Sequence, residues 1–163
     1  MLKPLVLSLL LAGFSQPALA ETSLFGDLFG GSHFGADPSE VRGSHLSISI
    51  DISEQQMTVS DESGVVYTWD VSTGRRGHAT PTGNFRPVRM EQIWYSSKYE
   101  NAPMPWSIFF YGGYAIHGTE DVAELGHMAS HGCVRLDPRN AKLLYDLVKE
   151  VGMKNTKVTL INS

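Results

Sequence analysis

Cys133 stands in the run Ser130-His131-Gly132-Cys133-Val134-Arg135, with His117-Gly118-Thr119 upstream. It is the only cysteine in 163 residues, so no internal disulfide can include it. A lone thiol with such neighbours has the composition of a nucleophile with a base and a backbone anion site. A thiol attacks a carbonyl as thiolate, and a free one titrates near ~8.5, so it needs a base or a positive field. Two imidazoles are at hand, His131 two residues before Cys133 and His117 sixteen before it. His117 ends an apolar run, where a rigid strand can aim a ring. His131 shares a face with Cys133 if the segment is extended. Gly132 lets the backbone turn sharply. The amides of Gly132 and Cys133 are then candidate donors to a tetrahedral oxyanion, where one lost donor costs ~3 kcal/mol of barrier. Arg135 suits either a substrate carboxylate or an internal acid.

Two blander readings compete. A buried lone cysteine can be a small apolar filler. His117, His127, His131 and Cys133 are also possible zinc or copper ligands, although their spacing fits no finger pattern. The clustering of His117, Ser130, His131 and Gly132 around the thiol favours chemistry without metal or cofactor. His127 reads as a surface-loop residue. His33, His45 and His78 fall in loop-like sequence and carry no argument.

The elements that must position these groups are mostly strands. Leu46, Ile48, Ile50 and Ile52 alternate with polar residues, the period of a half-buried strand. Gln56 to Ser60 and Val65 to Val71 flank the turn Asp61-Glu62-Ser63-Gly64, which makes an antiparallel meander. Ser72-Thr73-Gly74 and Thr80-Pro81-Thr82-Gly83-Asn84-Phe85 read as turns. Val88 to Tyr95 and Ser107 to His117 are further strand candidates. Tyr95 to Trp106 could wall or cover a site, with Met104 and Trp106 near the acyl group, although core packing explains such apolar residues equally well. One helix is clear: Asp137 as N-cap, Pro138 at the first position, then Ala141, Leu144, Tyr145, Val148 and Val151 at helical spacing, ended by Gly152. Lys157 to Ile161 closes the chain as a strand. The expected fold is mainly β, a sandwich or partly open barrel with one C-terminal covering helix.

The N-terminus bears on compartment. Lys3, the apolar run Leu5 to Phe14 and Ala18-Leu19-Ala20 form a signal-peptide pattern over residues 1–20. That run is too short to span a membrane. Residues 21–45 read as a flexible arm and 46–163 as one domain. Export follows, with no membrane anchor once the leader is removed. The net charge of −4 leaves no basic footprint for nucleic acid.

At these residues the chain resembles the L,D-transpeptidase catalytic domain of the YkuD family. The family pattern, His-Gly-Thr followed by Ser-His-Gly-Cys-Ile/Val-Arg, matches 117–119 and 130–135. Ser72-Thr73-Gly74, Thr80-Pro81-Thr82-Gly83-x-Phe85 and Met104-Pro105-Trp106 match further segments in order, over about Leu46 to Ile161. The resemblance implies a YkuD-like sandwich acting on peptidoglycan stem peptides. Cys133 would attack the third-residue carbonyl, expel D-alanine and pass the thioester to an amine. His117 would be the acid/base. Ser130, His131 and Gly132 would support the loop and oxyanion site, and Arg135, Met104, Trp106, Gly118 and Thr119 would contact substrate. The acceptor could be a second stem, a wall-linked lipoprotein or water. Water would make the protein a carboxypeptidase, an endopeptidase or an amidase that releases a wall protein. A non-enzymatic metal- or wall-binding protein is the remaining alternative. No LysM-type wall-binding repeat is apparent. This compact plan favours the periplasm over a Gram-positive wall.

Overall fold

A computed structural model describes residues 43–163. The expected signal segment and all but the end of the arm lie outside the described residues. Strand β1 (Leu46–Asp51) follows the alternation read in the sequence: Leu46, Ile48 and Ile50 are buried. It pairs antiparallel with β2 (Gln56–Asp61), which pairs with β3 (Gly64–Asp70), the expected meander. Gly64 enters β3 at φ +122°, a conformation that glycine adopts without steric cost. On the other side of β1 runs β9 (Thr156–Ile161), parallel to it, and beyond that β4 (Gly83–Phe85). These five strands form one sheet in the order β3-β2-β1-β9-β4.

The second sheet has the order β5-β6-β7-β8. It contains β5 (Arg89–Ser96), β6 (Ala102–Tyr111), β7 (Tyr114–Gly118) and β8 (Val134–Leu136). The run Ser107 to His117, read as one strand, is a hairpin split at Gly112-Gly113, with Gly112 at φ +51°. Its apolar residues continue through the turn, so hydropathy alone hides the break. Two short strands were not expected. β4 lies in the Thr80–Phe85 turn region, and β8 follows Cys133 directly. Strands of three residues carry too little pattern to be seen.

Helix α1 (Pro138–Val151) begins and ends as read. The Asp137 carboxylate accepts from the Arg139 amide, and Gly152 at φ +91° stops the helix. It packs on β6 and β7. Its Leu144, Leu147 and Val148 join one core with Ile48, Ile50, Met57 and Val59 of the first sheet and Ile108, Phe110, Ile116, Val134 and Leu136 of the second. The other face of the second sheet carries a separate small cluster of Met104, Phe109 and Ala115, with Trp94 and Cys133 packed against it. The second sheet is therefore apolar on both faces, one toward the helix and core and one toward a cavity.

Candidate active site

His117 and Cys133 share the cavity face of the second sheet. The β7–β8 pairing is parallel and sets His117 opposite Arg135. Paired residues point to one face, and Cys133 precedes Arg135 by two positions, so all three project the same way. Between them Ile116, Val134 and Leu136 point into the core. All three polar groups line a cavity of about 580 Å³.

The Nδ1 of His117 lies 2.8 Å from the carbonyl oxygen of Gly118. A carbonyl only accepts, so Nδ1 carries the hydrogen. The neutral ring then holds its lone pair on Nε2. Burial, followed by the Arg135 charge, pulls the His117 pKa from 6.5 to about 4, against the opposing effect of the Gly118 bond. Burial also pushes the Cys133 thiol up, opposed by a hydrogen bond from the Ala115 backbone and by the Arg135 and Lys98 charges. The resting pair is therefore neutral thiol and neutral imidazole. Gly118 itself does not face the cavity. A Cβ there would stand 3.1 Å from Pro138 Cα and 3.4 Å from Ala141 Cβ, so this glycine lets α1 approach closely. The substrate contact expected of Gly118 is replaced by a carbonyl that orients His117.

His131 is held by other partners. An Nη2 hydrogen of Arg75 is donated to His131 Nε2 at 2.7 Å, since a guanidinium has no acceptor. The ring also meets Tyr99 at 4.6 Å and His78 at 4.7 Å between centroids. Burial and then the Arg75 charge lower its pKa. With Nε2 engaged, His131 is a wall of the site, and His117 keeps the available lone pair.

The loop carrying Cys133 is tied down on both sides. The Ser130 hydroxyl donates to the Cys133 carbonyl at 2.6 Å and accepts the Gly132 amide at 3.0 Å. The Gly132 amide, expected as an oxyanion donor, is thus engaged within the loop, which leaves the Cys133 amide as the candidate donor. The Thr80 hydroxyl donates to the Gly132 carbonyl and accepts the Gly74 amide, both at 2.8 Å. Ser72 and Arg135 exchange backbone bonds of 3.0 and 2.9 Å, and the Ser130 amide donates to Thr73 at 2.9 Å. Gln55 anchors this plank in turn: its side-chain oxygen accepts the Thr73 amide at 2.8 Å. The two segments read as ordinary turns are clamps on the Cys133 loop. Gly74 fits there because a Cβ would lie 1.8 Å from the His78 carbonyl oxygen.

The remaining candidates divide. Ser130, Thr119 and Met104 line the cavity with Tyr99 and Lys98 of the β5–β6 turn. Trp106 does not. It adopts φ +56°, turns out of the β5–β6 ladder and packs against Tyr145 of α1, with ring centroids 5.6 Å apart. Its expected place beside the acyl group is corrected to the helix side. Arg135 reaches Asp121 at 3.5 Å, a loose pair at the cavity edge. Among the described residues no group of three or more His, Cys, Asp or Glu side chains converges as a metal site. Gln55, Arg75 and His78 had no assigned role in the sequence, Thr80 stood out only as part of a turn, and Tyr99 only within the Tyr95 to Trp106 segment expected as a wall.

Comparison with known proteins identifies the family of this fold. Residues 46–160 match the family model described as the L,D-transpeptidase catalytic domain. YciB of Bacillus subtilis (strain 168), named as an L,D-transpeptidase, is 30% identical over 142 residues, covering 77% of this chain and 71% of that protein. YkuD of the same strain, named likewise, is 26% identical over 117 residues, covering 69% of this chain and 64% of its own. A crystal structure of an L,D-transpeptidase from Xylanimonas cellulosilytica superposes with a TM-score of 0.61 at 29% identity, over 74% of this chain and 62% of that one. One from Mycobacterium smegmatis gives 0.65 at 24% identity, over 72% of this chain and 58% of the other. The chain thus spans less than two thirds of those solved chains. With the matched region enclosing the cavity, His117 and the Cys133 loop, the chain belongs to the L,D-transpeptidase catalytic-domain family.

Proposed function

We propose that the protein is a peptidoglycan L,D-transpeptidase whose nucleophile is Cys133 and whose base is His117. The observation that carries this reading is the His117 ring, fixed through Nδ1 by Gly118 and left with an unprotonated Nε2 on the face that bears Cys133. Because the resting pair is neutral, the proton leaves sulfur as sulfur attacks. The S–H proton moves to His117 Nε2 while an S–C bond forms at the carbonyl of the third stem residue. The carbonyl oxygen becomes an anion within reach of the Cys133 amide. The C–N bond to D-alanine then breaks, and His117 returns the proton to the departing amine. An acceptor amine attacks the thioester and gives its proton to His117. The C–S bond breaks and the thiol is reprotonated.

Stem peptides are the substrate class, and a wall-linked lipoprotein is a possible acceptor. Exclusion of water decides between cross-linking and hydrolysis, and the residues Ser96 to Tyr99 and Met104 line the cavity where that choice is made. The signal-like leader supports action outside the cytoplasmic membrane, in the periplasm.

The test is intact-protein mass after exposure to a carbapenem and to a tetrapeptide muropeptide. One solved neighbour was obtained with imipenem, which makes that compound a reasonable probe. A covalent adduct on the wild type that vanishes in Cys133→Ala is expected, with cross-linked dimers among the products. No adduct in the wild type overturns the nucleophile, and products limited to shortened monomers overturn transfer to an amine.

A further inference from the structure

One cation of the same cavity takes no part in the chemistry above. Arg89 opens β5 opposite Phe109 of β6, and Phe109 stands opposite Ala115 of β7. One step before the Ile116–Val134 pair, Ala115 comes level with Cys133. Arg89, Phe109, Ala115 and Cys133 therefore form a row across the sheet on a single face. Strands about 4.8 Å apart separate the backbones at the two ends by roughly 14 Å.

The Arg89 side chain closes part of that gap. Its guanidinium carbon lies 4.0 Å from the centroid of Phe109 and 4.2 Å from that of Trp94. Those rings meet edge to face at 5.8 Å. Contact with the two rings holds the guanidinium in place over the cavity face, and its N–H groups are donors suited to a carboxylate. Its ion pair among the described residues is with Glu91, at 4.0 Å, with the side chains 44% and 39% exposed. A pair that long and that wet holds little energy and is readily exchanged. Arg135, by contrast, already faces Asp121.

We infer that Arg89 is a specificity residue that binds a free carboxylate of the acyl-donor peptide, on the part of the stem that precedes the carbonyl Cys133 attacks and roughly 10 Å from it. The inference rests on the acyl-transfer reading. The spacing follows from the row: one strand nearer than its backbone, the guanidinium lies roughly 10 Å from the Cys133 strand. An extended stem covers that within the attacked residue and the two before it. The floor between them, Ala115 and Phe109, is apolar, so it lets a peptide pass without competing for its polar groups. The donor is the partner whose distance to Cys133 is fixed, because it becomes covalently attached there.

The experiment measures thioester formation without acceptor, by intact mass under single-turnover conditions. Two tetrapeptide donors are compared, one with its internal carboxylates free and one with them amidated. With the free donor, Arg89→Gln lowers the acylation kcat/KM about 10- to 100-fold, mainly through KM, as expected for loss of a charge-assisted bidentate pair. Arg89→Lys keeps the charge but not the planar fork, and recovers part of the rate. The amidated donor reacts slowly with the wild type and is insensitive to Arg89. Equal losses of Arg89→Gln on both donors, with unchanged melting, mean a packing role and overturn the inference. So does a loss confined to the later transfer to an acceptor. Should the Gln variant fail to fold, Arg89→Lys and the wild-type preference between donors still decide. A wild type acylated equally by both donors overturns only the role of Arg89. A wild type acylated by neither overturns the acyl-transfer reading beneath it.

Discussion

The backbone carbonyl of Gly118 holds the ring of the residue before it, His117, through a 2.8 Å bond from Nδ1. That contact sets the tautomer, and the tautomer sets which nitrogen can take a proton. No side-chain carboxylate is needed for the purpose. The orienting group is part of the strand, and it moves only if β7 moves.

The two histidines should therefore differ in mutation. His117→Ala is expected to lower acylation by about 10²- to 10⁴-fold, the usual range for a lost general base. His131→Ala and Arg75→Ala should each leave a measurable rate, because their rings and guanidinium hold one another. Arg75→Ala should also raise the pKa of His131 in an NMR titration, since the Arg75 charge is one of the causes lowering it. Equal loss in His117→Ala and His131→Ala, with folding intact, would remove the assignment of His117 as base.

The depressed His117 pKa makes stability depend on pH with a definite sign. The folded value is about 4 against an ordinary 6.5. The unfolded chain therefore takes the proton first as pH falls. The associated stability is fully present above pH 6.5 and is lost progressively toward pH 4. For a shift of this size the loss is about 3 kcal/mol. Denaturant unfolding at pH 7 and pH 4 should show the wild type losing that much more than His117→Gln. Parallel losses in the two proteins contradict it. The acid limb of acylation kcat/KM in the wild type should likewise lie well below that of an ordinary histidine.

Gly132 should tolerate no side chain. Its φ is +115°, and a Cβ would stand 2.7 Å from the Tyr114 ring. Gly132→Ala is expected to cost about 1–3 kcal/mol from backbone strain alone, with the ring contact adding to it. Thermal melting reads the stability, and adduct formation reads the displaced Cys133. An unchanged melting temperature would mean the loop relaxes freely.

Thr80 offers a gentler probe of the same loop. Thr80→Val is nearly isosteric but leaves the Gly74 amide and the Gly132 carbonyl without their shared hydroxyl. Each buried group left unpaired costs about 1–3 kcal/mol. The variant should melt earlier and acylate more slowly, without loss of the covalent adduct at long times. Wild-type kinetics in this variant would show that the Thr80 clamp does not position Cys133.

Much of the frame was legible because it rests on short-range rules. The alternation from Leu46, the Asp137-Pro138 start and the Gly152 stop each depend on neighbours a few residues apart, and each stands where it was read. The hairpin at Gly112-Gly113 was hidden because apolar residues flank the turn on both sides. The role of Thr80 was hidden because its partner, Gly132, lies 52 residues away. Trp106 misled for a related reason. Its type suited a substrate wall, but a positive φ turns it toward Tyr145 instead.

The amino-acid sequence by itself determined the chemical inventory: one thiol, imidazoles before it, a glycine that frees the loop, and the family to which their order belongs. Tertiary structure alone decided which imidazole keeps a lone pair and which amide of the loop is already engaged. It also aligned Arg89 with Cys133 across four strands. The physical reason is that tautomer, donor occupancy and cross-strand register are set by partners distant in sequence. A residue type says what a group can do, and its hydrogen-bond partners decide what remains free to do it.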